Sequence, residues 1–341
     1  MIPQREAAKD MFDPENIQSI MKKVFRYQLD HPLKLENAGW ERAAFYTGVM
    51  AAYHVTKDED YLKQAMKWAE ENKWELNDNR LGYWFADNQS CAQTYLDLYF
   101  LKGGKEKIAH AKKTLDEMAA NPPQGREEWW WCDSLYMAPS VFLRMAKATG
   151  DDKYIRVMNN LWWDTTDFLY DKEERLYYRD KNFFDKRTRN GKKIFWARGN
   201  GWVMGGIVRV LEFLPENHPK RREFIKLYKE MTDALINLQG ADGLWRTSLL
   251  DPEENPMPET SGTGFYCYAI SWGINRGLLD REKYLPVTGK AWEGLFGCVS
   301  DRGRLGWVQQ PAASPTPFSI SSTHEYGVGA FLLAGSEMTK L

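Results

Sequence analysis

The sequence contains few cysteines and histidines, the residues that cross-link small domains through disulfides or bind metal ions. Only 4 of its 341 residues are cysteine and 5 are histidine. No two cysteines have Cys-x-x-Cys spacing, and the histidines show no metal-ligand spacing, so we expect no metal site and no cofactor. A chain of this length needs no disulfide to hold its core together. We therefore expect free thiols at Cys91, Cys132, Cys267 and Cys298.

The chain also lacks an excess of either charge and any long apolar run. Lys and Arg number 46 and Asp and Glu 47, for a net charge of −1, so no nucleic-acid or anionic-membrane partner is expected. No stretch is apolar enough to span a bilayer, and residues 1–10 lack the apolar centre of a signal peptide. We expect a cytoplasmic or periplasmic protein, either a monomer or a weak homodimer. An exported precursor with a leader outside this sequence remains compatible with it.

Aromatic side chains, in contrast, are abundant. They form 14% of the chain, with 15 Trp, 17 Tyr and 16 Phe. Burial in a large helical core is the simplest explanation for any one of them, and stacking of flat rings on sugars is the functional alternative. The run Trp129–Trp131 is difficult to bury completely, because core-facing positions of a helix do not recur at every residue.

Two kinds of segment alternate along the sequence. The charged kind opens with acidic residues followed by a tyrosine, as in Thr56–Tyr61, Thr149–Tyr154 and Leu279–Tyr284. Acidic residues cap a helix N-terminus, and the tyrosine begins the buried stripe. This pattern predicts charged helices at residues 14–29, 59–72, 104–120, 151–169, 218–239 and 281–299. Each is followed by an apolar helix, at residues 40–55, 88–102, 133–149, 200–213, 262–277 and 325–340.

Six such pairs predict an all-α fold, an (α/α)6 barrel of six inner apolar and six outer charged helices, as one catalytic domain over residues 1–341. A linear solenoid would need polar caps at both ends, and neither terminal helix resembles one. All inner helices then run the same way, so their N-termini surround one mouth, where free N–H groups favour an anionic ligand. The segment 176–194 is predicted as a short strand or loop excursion.

Two aspartates fall at predicted N-termini of inner helices, and either could serve simply as a helix cap. Asp133 follows three tryptophans, and apolar surroundings raise the pKa of a carboxyl group because they disfavour its charged form. A carboxylic acid that keeps its proton near neutral pH is what a general acid needs. Asp87 is followed by Asn88 and Gln89, so we expect it to stay ionised.

Other short sequence segments that are predicted to lie at the same mouth suggest contacts with a ligand. Arg198 lies near Trp202 in a glycine-containing string, and an arginine beside a stacking surface suits a ring that carries a carboxylate. Pairing with an acidic residue of an outer helix is the alternative for Arg198. The string Ser261–Gly264 resembles an anion-binding nest, although helix packing explains its glycines equally well. We expect His324 to make hydrogen bonds at the site rather than to act as a catalyst.

Four strings together resemble glycoside hydrolase family 105, whose relative, family 88, shares the same barrel. They are WWWCDSLYM (129–137), FWARGNGW (195–202), SGTGFYCYAISWGINRGLLD (261–280) and EYGVGAFLLAG (325–335). Each is moderately specific alone, but four in order along nearly the whole chain are strongly specific. The resemblance implies an enzyme that removes a 4,5-unsaturated uronic acid from the non-reducing end of lyase-generated oligosaccharides. The implied mechanism is protonation of C4 of the C4=C5 double bond, addition of water at C5, and collapse of the resulting hemiketal.

The resemblance also implies roles for individual residues. Asp133 matches the general acid/base, and Asp87 matches a second important aspartate. Close relatives often have another acid at the position of Asn88, and the family often has a histidine in the loop where Arg179 stands. Arg179 would add positive charge near the uronate or near an acidic group on the leaving sugar. The predicted substrate-binding residues are Trp131, Arg198, Trp202, Asn88, Arg179 and His324.

Three alternatives remain open from the sequence. A sugar epimerase on the same barrel would be expected to place several histidines at the mouth, where this chain has only His324. A polysaccharide lyase would favour an extended basic groove, which the balanced charge opposes. A non-catalytic carbohydrate-binding barrel would tolerate replacement of Asp133 by asparagine, whereas a hydrolase would not.

Overall fold

The computed structural model describes residues 11–341, and the first ten residues, where the sequence predicts no signal peptide, lie outside the described part. Six outer helices are α1 (Pro14–Asp30), α3 (Glu59–Glu71), α5 (Glu106–Ala120), α7 (Lys153–Leu169), α9 (Arg221–Ile236) and α11 (Arg281–Gly297). Six inner helices are α2 (Trp40–Thr56), α4 (Ala92–Lys102), α6 (Pro139–Thr149), α8 (Ala197–Phe213), α10 (Thr260–Asn275) and α12 (Glu325–Met338).

The inner helices form a closed ring. Each packs against the next inner helix in the chain, and α12 packs against α2, which closes the circle. The inner helices are buried on nearly all sides, whereas the outer helices bury one stripe and expose the other. The predicted all-α (α/α)6 barrel is therefore confirmed. The C-terminal residues of most inner helices line one common cavity, as expected of helices that run in the same direction.

The acidic starts of the outer helices act as caps, as the sequence predicts. The Asp58 carboxylate accepts a hydrogen bond from the N–H of Asp60 at 3.0 Å, and the Asp280 carboxylate accepts one from the N–H of Lys283 at 2.8 Å. These bonds satisfy N–H groups that have no partner inside the helix. The tyrosine that follows each acidic start is buried, at Tyr61, Tyr154 and Tyr284.

Two inner helices begin differently from the prediction. The helix expected from residue 88 consists of a short turn, Ala86–Gln89, followed by α4, and the helix expected from residue 133 consists of a turn, Ser134–Met137, followed by α6. In the second case Pro139 is the first residue of α6, and it has no N–H with which to continue the hydrogen-bond ladder of the turn. The breaks place Asp87 and Asp133 on short turns at the mouth.

The excursion between α7 and α8 contains a small antiparallel ribbon. Strand β1 (Tyr170–Asp171) pairs with β2 (Leu176–Tyr177), in agreement with the predicted strand or loop. Just beyond β2, the carbonyl of Arg179 accepts a hydrogen bond from the N–H of Cys132 at 2.8 Å. This bond fixes the excursion beside the turn that carries Asp133.

Helices α2 and α12 approach each other so closely that only glycine fits at their crossing. A Cβ added to Gly329 would lie 2.3 Å from the carbonyl oxygen of Ala44, and one added to Gly48 would lie 2.3 Å from the carbonyl oxygen of Gly329. Both neighbours are backbone atoms and cannot move aside without shifting a helix. The barrel therefore closes through a glycine contact.

We expect Gly329→Ala to destabilise the barrel by about 1–3 kcal/mol, the usual cost of forcing extra volume into a packed core. The matched control is Gly289→Ala in α11, where the nearest atom to an added Cβ is in Phe12 at 3.9 Å. That control should be neutral or stabilising by up to about 1 kcal/mol, because alanine favours helix more than glycine does. Denaturant unfolding measures both. Equal stability of the Gly329→Ala variant and the wild type would contradict the close contact.

Candidate active site

Asp133 lies at the mouth of the barrel, directly before the turn Ser134–Met137 that precedes α6. It occupies the N-cap position of the turn Ser134–Met137, yet its side chain makes no capping hydrogen bond. The residue is 9% exposed, and the Cys132 Sγ lies 3.4 Å from its Oδ2 as a hydrogen-bond donor. A purely capping role, the alternative considered from the sequence, is therefore not what the geometry supports.

The surroundings of Asp133 combine burial with nearby positive charge. Burial raises the pKa of its carboxyl group, the direction predicted from the sequence, while the guanidinium groups of Arg179 and Arg198 oppose that rise. The Arg179 Nε lies 3.7 Å from Asp133 Oδ2. In these surroundings the carboxyl group keeps its proton up to a higher pH than an ordinary aspartate does. Once the proton has left, the two cations stabilise the carboxylate.

Asp87 does not behave as the sequence predicts. Burial raises its pKa well above the ordinary value, and the negative charges of Asp133 and Glu41 raise it further. Its buried Oδ1 has no hydrogen-bond partner, so no donor stabilises the carboxylate there. The direction of this pKa shift is opposite to the expectation that Asp87 stays ionised. Burial is the largest cause, and among the nearby charges only Arg179 lowers the pKa of Asp87.

Asn88 belongs to the scaffold rather than to the ligand site. Its Nδ2 donates to Asn79 Oδ1 and to the carbonyl of Gly82, both at 2.8 Å, and its Oδ1 accepts from Asn77 at 3.0 Å and from Asn79 at 2.7 Å. The residue is fully buried, and the loop uses its whole hydrogen-bonding capacity. This geometry corrects the prediction that Asn88 binds substrate.

Arg179 sits at the mouth between two acids and an aromatic ring. Its Nη1 donates to Asp180 Oδ2 at 2.7 Å, and its guanidinium lies 5.1 Å from the ring centre of Trp130. Its side chain is 19% exposed, so it can meet a ligand without rearrangement. Among the three consecutive tryptophans, Trp130 is 38% exposed, and its ring lies beside Arg179 at the surface.

The other two tryptophans of the run are buried. Trp129 is completely buried, and Trp131 is 2% exposed, with its ring stacked on Phe85 at 4.6 Å between ring centres. Because Phe85 precedes the turn that carries Asp87 and Trp131 precedes Asp133 by two residues, this stack joins the two acid-bearing turns. The predicted contact between Trp131 and substrate stays a prediction.

Arg198 is fully buried beneath the mouth. Its guanidinium lies 4.4 Å from the Trp196 ring centre and 4.7 Å from that of Tyr326. Its Nη1 donates to the Gln309 carbonyl at 2.6 Å and its Nη2 to the Gln310 carbonyl at 2.9 Å, which leaves Nε without a partner. The geometry therefore makes Arg198 an anchor for the loop before α12 and a source of positive charge for Asp133.

Trp202 and His324 lie close to this anchor. The buried Trp202 ring packs against Phe265 at 4.5 Å and Tyr136 at 4.8 Å, and its indole N–H has no partner. The His324 ring stacks on Tyr326 at 4.2 Å. Burial, with the charge of Arg198, lowers the pKa of His324 to about 3, so the ring is neutral at physiological pH. Its unpartnered Nδ1 is available for a hydrogen bond, as expected from the sequence.

Two features escaped the sequence analysis. Glu41, in the first turn of α2, contributes to the raised pKa of Asp87 through its negative charge. Burial also raises the pKa of Glu41 itself. Its position at an inner-helix N-terminus, after Trp40, is the signal that could have identified it. The Glu259 carboxylate accepts hydrogen bonds from the N–H groups of Ser261 at 3.0 Å and Gly262 at 2.6 Å. The suspected anion nest at Ser261–Gly264 is therefore occupied by a carboxylate of the chain itself.

Two other kinds of site are absent from residues 11–341. No group of three or more His, Cys, Asp and Glu side chains in this part of the chain is arranged to hold a metal ion. None of the helices described there has the length and apolar character needed to cross a membrane. The four cysteines are free thiols, three of them buried, as predicted.

Comparison with known proteins agrees with the fold. The family model described as Glycosyl Hydrolase Family 88 matches residues 15–341. An unsaturated 3S-rhamnoglycuronyl hydrolase of Formosa agariphila is 39% identical, over 95% of this chain and 91% of that protein. A protein of the same name from Alteromonas sp. is 38% identical, over 90% of this chain and 79% of that protein.

Solved structures agree with the fold of this chain. A family 88 glycosyl hydrolase from Bacteroides vulgatus superposes with a TM-score of 0.90 at 33% identity, covering 96% of this chain and 99% of that one. A protein described as a polysaccharide lyase superposes with a TM-score of 0.89 at 35% identity, covering 96% and 97% of the two chains. The fold and the matches define the class of protein, a glycoside hydrolase on an (α/α)6 barrel. The chain belongs to glycosyl hydrolase family 88, which confirms the resemblance to families 105 and 88 seen in the sequence.

The pair of Arg179 and Asp133 generates a pH prediction. If Asp133 must be protonated to act, kcat/KM falls as the pH rises through its pKa. The Arg179 charge favours the ionised carboxylate and lowers that pKa, so Arg179→Met should move the alkaline limb of kcat/KM to higher pH, whatever it does to KM. The control is Arg187→Met, since Arg187 is exposed and donates only to backbone carbonyls of its own loop. A limb that stays in place or moves to lower pH would contradict this role.

Proposed function

We propose that this hydrolase removes a 4,5-unsaturated uronic acid from the non-reducing end of oligosaccharides produced by polysaccharide lyases. The observation that carries the proposal is the pair of acids at the mouth, Asp87 and Asp133, both with a pKa raised by burial. Protonation of a carbon–carbon double bond needs a neutral carboxylic acid close to the bond. The names of the two relatives above are consistent with this substrate class.

In the proposed reaction, Asp133 transfers its proton to C4 of the C4=C5 double bond, and positive charge develops at C5 and the ring oxygen. The Asp133 carboxylate then accepts a proton from a water molecule as that water adds at C5. The hemiketal opens, and the bond to the next sugar breaks as that sugar leaves with a hydroxyl group. The sum is one water consumed, and Asp133 ends in its starting protonation state.

The unequal surroundings of the two acids explain why Asp133 is assigned the proton transfer. Asp133 gains a negative charge when it gives up its proton, and the cations of Arg179 and Arg198 stabilise that charge. Burial and the like charges nearby, opposed by Arg179, raise the pKa of Asp87 well above its ordinary value, and a protonated Asp87 does not repel the new carboxylate. We propose that the neutral Asp87 donates a hydrogen bond to the substrate. Two interacting acids of this kind titrate as a pair.

The uronate carboxylate and the leaving sugar are assigned to the outer part of the mouth. Arg179 is the partly exposed cation there, and the exposed Trp130 ring beside it offers a flat surface to a sugar. We propose that the leaving sugar is a rhamnose sulfated at position 3, as the names of the relatives at 39% and 38% identity suggest. Trp131, Trp202 and His324 complete the proposed substrate-binding group.

A polysaccharide lyase is the second candidate function, because a structure of that description superposes on nearly the whole chain. The two activities have opposite effects on the same bond. A lyase creates the C4=C5 double bond and raises the ultraviolet absorbance, whereas the proposed hydrolase removes that bond and lowers the absorbance. The direction of the absorbance change therefore separates the two functions in one experiment.

We expect Asp133→Asn to lower kcat by at least about a thousandfold and to leave the fold intact, because an amide cannot deliver the proton. Loss of absorbance from the double bond measures turnover, and circular dichroism with thermal unfolding measures the fold. The control variant is Asp185→Asn, an exposed aspartate of the excursion, which should keep wild-type turnover. Full activity of the Asp133→Asn variant would leave the proposed mechanism without its acid.

The substrate is tested with defined unsaturated disaccharides from pectin, glycosaminoglycan, ulvan and arabinogalactan side chains. We expect the highest kcat/KM for an unsaturated uronyl unit linked to 3-sulfated rhamnose, with a loss of at least about tenfold when the sulfate is removed. A panel on which the wild-type enzyme never lowers the absorbance contradicts the hydrolase proposal. Equal rates with and without the sulfate contradict only the assignment of the leaving sugar.

A further inference from the structure

A polar cavity lies at the end of the barrel opposite the mouth. It has a volume of about 280 Å³ and is surrounded by the C-terminal parts of inner helices. Arg209, in this cavity, is eleven residues beyond Arg198 on α8, about 16 Å along the helix axis. The charged lining comprises five basic and three acidic side chains: Arg144, Lys147, Arg209, Arg276, Lys340, Asp97, Glu212 and Glu337. The proposed hydrolytic reaction uses none of them.

Two arginines form the buried part of this cavity. Arg144 is 2% exposed and Arg209 is 4% exposed. The Arg144 Nε donates to Asp97 Oδ1 at 2.8 Å, and the Arg209 Nε donates to Gln93 Oε1 at 2.6 Å. The Arg144 guanidinium also lies 4.1 Å from the ring centre of Phe213. Both guanidinium groups are therefore held in place on one side.

Each of the two arginines also has a donor without a partner. The Arg144 Nη1 and the Arg209 Nη2 are buried and make no hydrogen bond. Burying an unpaired charged donor is costly, and such donors normally meet an acceptor. The two arginines line one cavity, each has an unsatisfied N–H donor in its guanidinium group, and a planar guanidinium suits the oxygens of an oxyanion.

The three acidic side chains of the cavity differ in whether they already pair with a basic side chain. Asp97 is engaged by Arg144, and the Glu337 Oε1 accepts from Lys340 at 2.6 Å. Glu212 interacts electrostatically with both buried arginines, so it is the carboxylate that an incoming anion would meet. Lys147, Arg276 and Lys340 are exposed at the rim, where they can attract an anion from solution.

We propose that this cavity is a binding site for a small oxyanion, with sulfate as its simplest representative, held by Arg144 and Arg209. The site is separate from the hydrolytic mouth and does not depend on the proposed substrate. Its occupant supplies acceptor oxygens to the two unpartnered guanidinium nitrogens and stabilises the C-terminal end of the inner ring.

The test is sulfate binding to the 341-residue chain, measured by calorimetric titration and by thermal unfolding against sodium chloride at equal ionic strength. A specific site gives stabilisation that follows one-site saturation, whereas general salt exclusion gives a rise that does not saturate. We expect Arg209→Met to weaken sulfate binding by at least about tenfold. We expect Glu212→Gln to strengthen it several-fold, because the variant loses a negative charge that faces the anion.

The control is Arg246→Met, which removes an arginine paired with Asp242 away from the cavity, and it should bind sulfate as the wild type does. A sulfate effect that does not saturate and is the same in all variants overturns the proposal. If Arg209→Met does not fold, the Glu212→Gln variant and wild-type crystals soaked in selenate decide the question. An anomalous peak between Arg144 and Arg209 supports the site, and its absence overturns it.

Discussion

The site depends on one constraint, the burial of two carboxyl groups at the same mouth of a helical barrel. Carboxylates in such surroundings are poorly solvated, and two of them together repel each other, so protons remain on the pair at higher pH than on ordinary aspartates. Burial raises the pKa of both Asp87 and Asp133. The breaks that separate their turns from α4 and α6 are what place these acids at the mouth.

The two cations near Asp133 belong to different segments of the chain. Arg179 arrives on the excursion that follows β2 and is fixed there by the hydrogen bond between its own carbonyl and the N–H of Cys132. Arg198 comes from the first turn of α8 and is held by carbonyls of the loop before α12. The charge balance at the acid therefore depends on segments more than a hundred residues apart, which the closed ring brings together.

Much of the fold could be predicted from the sequence, because its signals are local. Acidic caps, buried tyrosines and the alternation of charged and apolar helices depend on residues within one or two turns of each other. The proximity of Asp133 and Arg179 agrees with the prediction that both belong to one site, which rests on the apolar flank of Asp133 and on the family resemblance. The breaks before α4 and α6 were not predicted, because an apolar pattern continues through them, and the stop at Pro139 was overlooked.

Local sequence patterns are enough to specify the helix types, their order, the closed barrel they form and the mouth at which acids and aromatics gather. Only the tertiary structure decided the state of each polar group, because hydrogen-bond partners and burial come from distant segments. It assigned the side chain of Asn88 to a loop and filled the nest at Ser261–Gly264 with Glu259. It also raised the pKa of Asp87, mainly through burial and further through the negative charges of Asp133 and Glu41. Local patterns specify helices, whereas the charge of a buried group depends on everything packed around it.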